Sequence, residues 1–203
     1  MSGSRAAILG KVRLALGRQA GESPGPRPLP VGIVLDDAAD LEQRLCARLA
    51  TTGVTVESLS DRGDLPAAVD AYRTRLGLDG PVAIAPALAT LDWQDLPVQP
   101  GSALPHQRMA VGEAFAGLAA TGSLVMLASP DSPARLNFLP EHHLVVLSRS
   151  RLLGRLDQLW PLLKGQDSEA VNLVTGPSST ADIGGQLLYG AHGPRALHVL
   201  LTP

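Results

Sequence analysis

The sequence predicts an α/β domain whose mainly parallel sheet is flanked by helices. Two observations carry that expectation. Short apolar runs take turns with stripes of helical period along most of the chain, as in a sheet whose strands are joined by helices. The 203 residues are 45% hydrophobic but only 3% aromatic, so the core must be built from Leu, Val, Ile and Ala. Charged residues make up 18%, an ordinary globular balance for a chain long enough to bury a sizeable core.

Residues 4–18 read as a helix capped by Ser4, with Ile8, Val12 and Ala15 as its stripe. Its charges are Arg5, Lys11, Arg13 and Arg18, and no acid precedes Glu22. Such a start suits a transit peptide or surface anchor, or an arm that packs on its own domain or on a partner subunit. Residues 21–30 hold four prolines and two glycines, which deny helix and favour an extended linker. The expected organisation is therefore an amphipathic arm over 1–20, a linker over 21–30 and an α/β domain over 31–203.

Within that domain 31–35 is a short apolar run. Asp36 and Asp37 open a helix with the stripe Ala38, Leu41, Leu45 and Leu49, which Gly53 stops before the β-branched 54–56. Asp64 reads as the cap of the next helix, with Pro66 in its first turn and Leu65, Val69, Tyr72 and Leu76 on one face. Residues 82–85 are a buried-strand candidate, and 91–105, with three prolines, read as loop. Further strands are expected at 109–111, 123–127, 144–147, 171–174 and 196–201. Ser150 is expected to cap a helix carrying Leu152, Leu156, Leu159, Trp160 and Leu163. A loop and a helical turn are expected after 171–174.

The totals exclude several function classes. A formal net charge of −2 gives no basic excess for nucleic acid. There is no apolar run of 18 residues, hence no expected membrane span, and no signal peptide is expected. Cys46 is the single cysteine, so the chain alone cannot form a disulfide or an all-cysteine metal or iron–sulfur site. It reads as a small buried hydrophobe in a helix, and a reducing cytoplasm fits best. Only Lys11 and Lys164 could serve as a Schiff-base lysine, and neither sits in a motif.

Three segments carry unusual chemistry. After the apolar 171–174, Thr175-Gly176-Pro177-Ser178-Ser179-Thr180 places four hydroxyls in six residues. Gly176 permits a tight turn. If a helix starts at 178–181, its free N–H groups, its dipole and the hydroxyls make an anion site; the plainer reading is that Ser and Thr are caps and Asp182 bonds first-turn amides. His192, in the turn before Gly193-Pro194, is a candidate general acid or base, or a histidine that bonds its own turn. A hydrolytic triad of Ser178, Asp182 and His192 is rejected, because no glycine-serine-glycine elbow is present. Arg135, among Leu136, Phe138 and Leu139, either clamps a carboxylate or phosphate or forms a salt bridge. His142 and His143 enter a strand and point to opposite faces, so they do not chelate one metal.

These segments, taken in order, resemble the lactate-utilisation (LUD) domain family. The block Ala119-Ala120-Thr121-Gly122-Ser123-Leu124-Val125 comes first. Arg135, Leu139-Pro140 and His143-Leu144-Val145-Val146 follow. Then come Gly176-Pro177-Ser178-Ser179-Thr180-Ala181-Asp182-Ile183, Gly190-Ala191-His192-Gly193-Pro194 and Leu197-His198-Val199. The first helix is similar to the start of the protein C branch. The likeness is sharp from about Val111 onward. It implies a fold like that of the ribose-phosphate isomerase and CoA-transferase superfamily. It also implies a part in oxidising L-lactate to pyruvate as one of three proteins, with the iron–sulfur clusters in partner subunits and no cofactor in this chain. The ligand-binding candidates it leaves are Thr121, Gly122, Ser123, Arg135, Gly176, Ser178, Ser179, Thr180, Asp182, His192 and Gly193, with His192 and Asp182 the catalytic candidates. The family commonly has glutamate at Ala120, an acid near Phe115 and glutamate at Gly184, all three missing here. Two other functions stay open: an enzyme or sensor for a small phosphorylated or CoA-linked acid, and an adaptor whose arm docks on a partner.

Overall fold

The computed structural model describes residues 2–19, 38–101, 103–104, 107–181, 187–190 and 192–203. The expected linker, the 31–35 run, the Asp36–Asp37 start and Asp182 lie outside the described residues. The chain divides into two units, Met1–Ile33 and Val34–Pro203. In the first, a helix forms as expected, but α1 spans Ser2–Ala15, so Ser4 lies within it and does not cap it; Gly17 beyond it takes a φ of 61°.

The second unit begins its described part with α2 (Ala38–Thr51), which buries Leu45 and Leu49 as its stripe requires. Gly53, at a φ of 78°, ends it. α3 spans Leu65–Arg75 and the short α4 Leu159–Leu163. The strands are β1 (Thr55–Ser58), β2 (Val82–Ile84), β3 (Val98–Pro100), β4 (Met109–Glu113), β5 (Ala116–Leu118) and β6 (Ser123–Ala128). Then come β7 (His142–Ser148), β8 (Leu152–Leu153), β9 (Ala170–Val174), β10 (Ser179–Ala181), β11 (Leu187–Tyr189) and β12 (Ala196–Thr202).

Among the described residues the main sheet has six strands, in the order β1-β12-β7-β4-β2-β3. Every pairing in it is parallel. A smaller mixed sheet runs β8-β5-β6-β9, and β10 pairs with β11 as an antiparallel ribbon. The two-residue period of a strand sends neighbours to opposite faces. Leu144, Val146 and Leu200 accordingly join Leu65, Val69 and Ile84 in one core cluster. Val145, Leu147, Val199 and Leu201 join Leu45 and Leu49 of α2 and Leu124 and Met126 of β6 in another. Each fully buried leucine contributes about 1.5–3 kcal/mol relative to exposure. Among the described residues no helix is long and apolar enough to cross a membrane.

Four more expectations need correction. Asp64 is not the side-chain cap of α3. Its carboxylate accepts from the Asp61 amide at 3.1 Å, while Asp61 accepts from the Gly63 amide at 2.6 Å, so the pair caps a 3-10 turn over Arg62–Asp64. The proline-rich 91–105 contains β3, a sheet-edge strand where proline is tolerated. No helix runs from Ser150. The chain forms a 3-10 turn (Arg149–Arg151), then β8 beside β5, and turns helical only at Leu159. Pro161 is accepted in a first turn but not in a helix interior, and it breaks the longer pattern. Trp160 is consequently 56% exposed and only Leu159 of that helix is buried. The helix start expected at 178–181 is the fourth. Residues 179–181 are β10, with Ser179, Thr180 and Ala181 opposite Tyr189, Leu188 and Leu187. The 187–189 run supplies a strand partner that helical reading of the hydroxyl block overlooks.

One arginine knits this unit together. The Arg149 guanidinium donates to Glu42 of α2 at 3.0 and 3.4 Å and to the carbonyls of Leu59 and Leu201 at 3.4 and 3.3 Å. It thus joins α2 to the strand ends of β1 and β12. Arg149→Ala should cost about 2 kcal/mol in a urea-denaturation experiment. Lysine should restore little of it, because one ammonium cannot span the same fork.

Candidate functional site

A cleft of about 260 Å³ opens where β7 and β12 begin, on the α2 side of the main sheet. Its wall is assembled from three loops. A 3-10 turn over Ala134–Asn137 brings in buried Asn137 just before β7. Residues 175–178 leave β9 and carry Thr175, Gly176 and Ser178. The turn before β12 carries His192, Gly193 and Pro194. The second and third loops are stitched together: the Ser178 amide donates to the Pro194 carbonyl at 2.7 Å, and the Gly190 amide to the Ser178 carbonyl at 2.9 Å. Both glycines are there for close approach. A side chain on Gly193 would meet Ser178 Cβ at 3.2 Å, and one on Gly176, at a φ of 146°, would meet Thr52 Cβ at 3.0 Å.

The floor is His143, the second residue of β7. It has no exposed surface, and burial pushes its imidazole down to about 4, so the ring is neutral at pH 7. A side chain on Gly112 of β4 would lie 3.1 Å from its Nε2, so that glycine leaves room for the ring. Both ring nitrogens and the Asn137 amide nitrogen are buried without a hydrogen-bond partner among the described residues. Unpaired buried polar groups cost about 1–3 kcal/mol each, and native structures hold few. Three of them at one cleft, with the hydroxyls of Thr175 and Ser178 and the exposed His192 around them, suit a polar guest that supplies both a donor and an acceptor.

The structure thus brings Gly176, Ser178, His192 and Gly193 together. Arg135 is exposed and does not line this cleft. A neighbouring recess shares Phe138, His192 and Gly193 with the cleft and adds Glu141 and Arg195, so Arg195 is the arginine beside His192. Ser179 and Thr180 belong to β10. Thr121, Gly122 and Ser123 form the turn into β6. Ser123 Oγ is 2.7 Å from Thr121 Oγ1 and 2.9 Å from Thr175 Oγ1, a hydroxyl chain ending at a cleft residue. Asp182 lies outside the described residues. Sequence reasoning did not place Asn137, His143 or Arg195 at the site. The alternation of β7 was the available signal for His143, since it shares a face with buried Val145 and Leu147.

Residues 105–202 match the family model of the LUD domain. The C-terminal half of the chain is similar to the LUD domain. The match takes in both halves of the cleft, from β4 to the end of β12. Curated relatives are similar at modest identity. An uncharacterized protein of Neisseria meningitidis is 37% identical over 87 residues, covering 41% of this chain and 37% of the relative. Lactate utilization protein C of an Exiguobacterium is 31% identical over 121 residues, covering 55% and 53%. YkgG of Escherichia coli, uncharacterized, is 35% identical over 104 residues, covering 47% and 45%. The chain therefore spans about half or less of the length of these relatives. A crystal structure of a DUF162 family protein from Deinococcus radiodurans superposes with a TM-score of 0.61 at 16% identity, over 82% of this chain and 99% of that one. That likeness shows the fold, an α/β domain with a mainly parallel sheet.

Proposed function

We propose that this protein serves lactate utilisation, and that its cleft holds a small hydroxy- or keto-carboxylate such as L-lactate or pyruvate. The observation that carries the reading is His143, wholly buried with both ring nitrogens unpartnered beside the Asn137 amide. A neutral imidazole offers one donor and one acceptor. A carboxylate of such an acid would take the Asn137 amide donor and bond one of the His143 ring nitrogens; the two nitrogens point away from each other, so one small acid engages only one of them. The relatives named lactate utilization protein C support the same chemistry. A phosphate is the poorer fit, because among the described residues the cleft's lining holds no arginine or lysine and the Ser178 amide is already bonded.

In this reading the chain binds and orients its acid and supplies no redox centre. Removing two hydrogens from lactate needs an acceptor, which we assign to iron–sulfur partner subunits, since Cys46 alone cannot hold a cluster. Kinship with the ribose-phosphate isomerase and CoA-transferase superfamily, and a cytoplasmic location, belong to the same proposal.

Thermal-shift titration tests the site: L-lactate or pyruvate at a hundredfold its dissociation constant should stabilise the protein by about 2.7 kcal/mol. His143→Leu should lose that shift. Untagged partner proteins rich in cysteine should co-purify from the native host, and a deletion strain should grow poorly on lactate. Normal growth on lactate, together with no shift by either acid, would overturn the proposal.

A further inference from the structure

The main sheet changes direction between β2 and β4. From β2 the chain passes outward to β3 at the sheet edge; from β4 it passes the other way, through β5 and β6, to β7. At such a switch point the loops leaving two adjacent parallel strands diverge, and a crevice opens beyond their carboxyl ends. This chain has one there, of about 460 Å³, at the opposite end of the strands from the His143 cleft. Ala87 follows β2, Glu113 ends β4 and leads to Phe115, and Ser148 ends β7 and leads to Ser150 and Arg151. Asp131 and Ser132 close it from the turn after β6.

We infer that this crevice is a second binding site, for a small hydroxylated organic anion. Arg151 would hold the anionic head. Its guanidinium lies 5.4 Å over the Phe115 ring, which positions the fork while leaving its edge free. Among the described residues Arg151 has no carboxylate partner, whereas its neighbour Arg149 is taken by Glu42. Glu113 is neutralised by the Arg62 guanidinium, which donates to both its oxygens at 2.6 and 2.9 Å. That pair repels no anion and still has lone pairs for a ligand hydroxyl. Ser148 and Ser150 bond each other at 2.7 Å, and Ser148 donates to the Pro203 carbonyl, which leaves Ser150 Oγ with hydrogen-bonding capacity toward the crevice. Asp131, an exposed carboxylate at the rim, can accept from ligand hydroxyls, and its charge keeps the anionic head on the Arg151 side.

Isothermal titration of the whole chain with four probes tests this: D-gluconate, glucose 6-phosphate, glucose and L-serine. At least one of the two hydroxylated anions should bind, and the better of them tells whether the head is carboxylate or phosphate. Glucose, lacking the head, should bind at least about tenfold more weakly, and Arg151→Met should weaken the anion by a similar factor. Arg151→Lys should fall between. Arg151 is exposed, so both variants should keep the parent melting temperature. His143→Leu should leave this binding intact, which separates the site from the lactate reading. Absence of binding by both anions, equal binding by Arg151→Met, or a preference for the zwitterion L-serine would overturn the inference.

Discussion

Between pH 7 and pH 4 the protein is expected to lose about 3 kcal/mol of stability that a His143→Leu variant keeps. Burial holds the folded imidazole down to about 4, whereas in the unfolded chain it titrates near 6.5. Between those values the unfolded state binds the extra proton and the folded state does not, so protonation favours unfolding. This contribution is fully present above pH 6.5 and is lost as pH falls toward 4. His142 and His198 are also lowered by burial and act in the same direction. They remain in the variant, so the difference between the two proteins isolates His143. Urea denaturation at several pH values reads it directly, and two parallel stability curves would refute it. At pH 7 the variant should be no less stable than the parent, since leucine removes two unpartnered buried nitrogens at similar volume. A residue whose loss improves stability and abolishes lactate or pyruvate binding is one retained for its ligand.

Much of the fold is legible because strand and helix periods differ. The stripe of α2, the face of α3 and the apolar β7 and β12 each follow from side-chain spacing alone. What spacing misses is tertiary choice. Pro161 breaks a stripe that otherwise reads as helix, and β10 forms because a second short strand is available to pair with it. The site was half legible for the same reason. Gly176, Ser178, His192 and Gly193 are near one another in sequence, and hydrogen bonds between their loops keep them so in space. His143 and Asn137 reach the cleft from another strand and turn, a juxtaposition only the sheet order creates. For Arg135 the sequence leaves a clamp and a salt bridge open, and a 3-10 turn places it on the surface while burying Leu136 and Asn137.

Gly122→Ala should cost about 3 kcal/mol, more than any substitution of the hydroxyls beside it. Gly122 takes a φ of 70°, a conformation that strains an L side chain, and it sits directly on the end of α2. An added Cβ would come within 2.7 Å of Arg48 Cβ, 3.2 Å of the Arg48 carbonyl carbon and 3.3 Å of the Leu49 amide nitrogen. Two of those three atoms are backbone, so rotating a side chain cannot relieve the contact. Either α2 shifts, disturbing the buried Leu45 and Leu49, or the turn into β6 does, disturbing the Ser123 link to Thr175. Ser123→Ala, by contrast, removes one buried hydroxyl and should cost about 1 kcal/mol. Differential scanning calorimetry of the two variants decides what the Thr121-Gly122-Ser123 block is for. If it serves as a packing turn that sets the distance between α2 and the smaller sheet, the glycine dominates and cleft binding falls only with the fold. If its hydroxyls instead serve a ligand, Ser123→Ala would weaken cleft binding more than its small loss of stability explains.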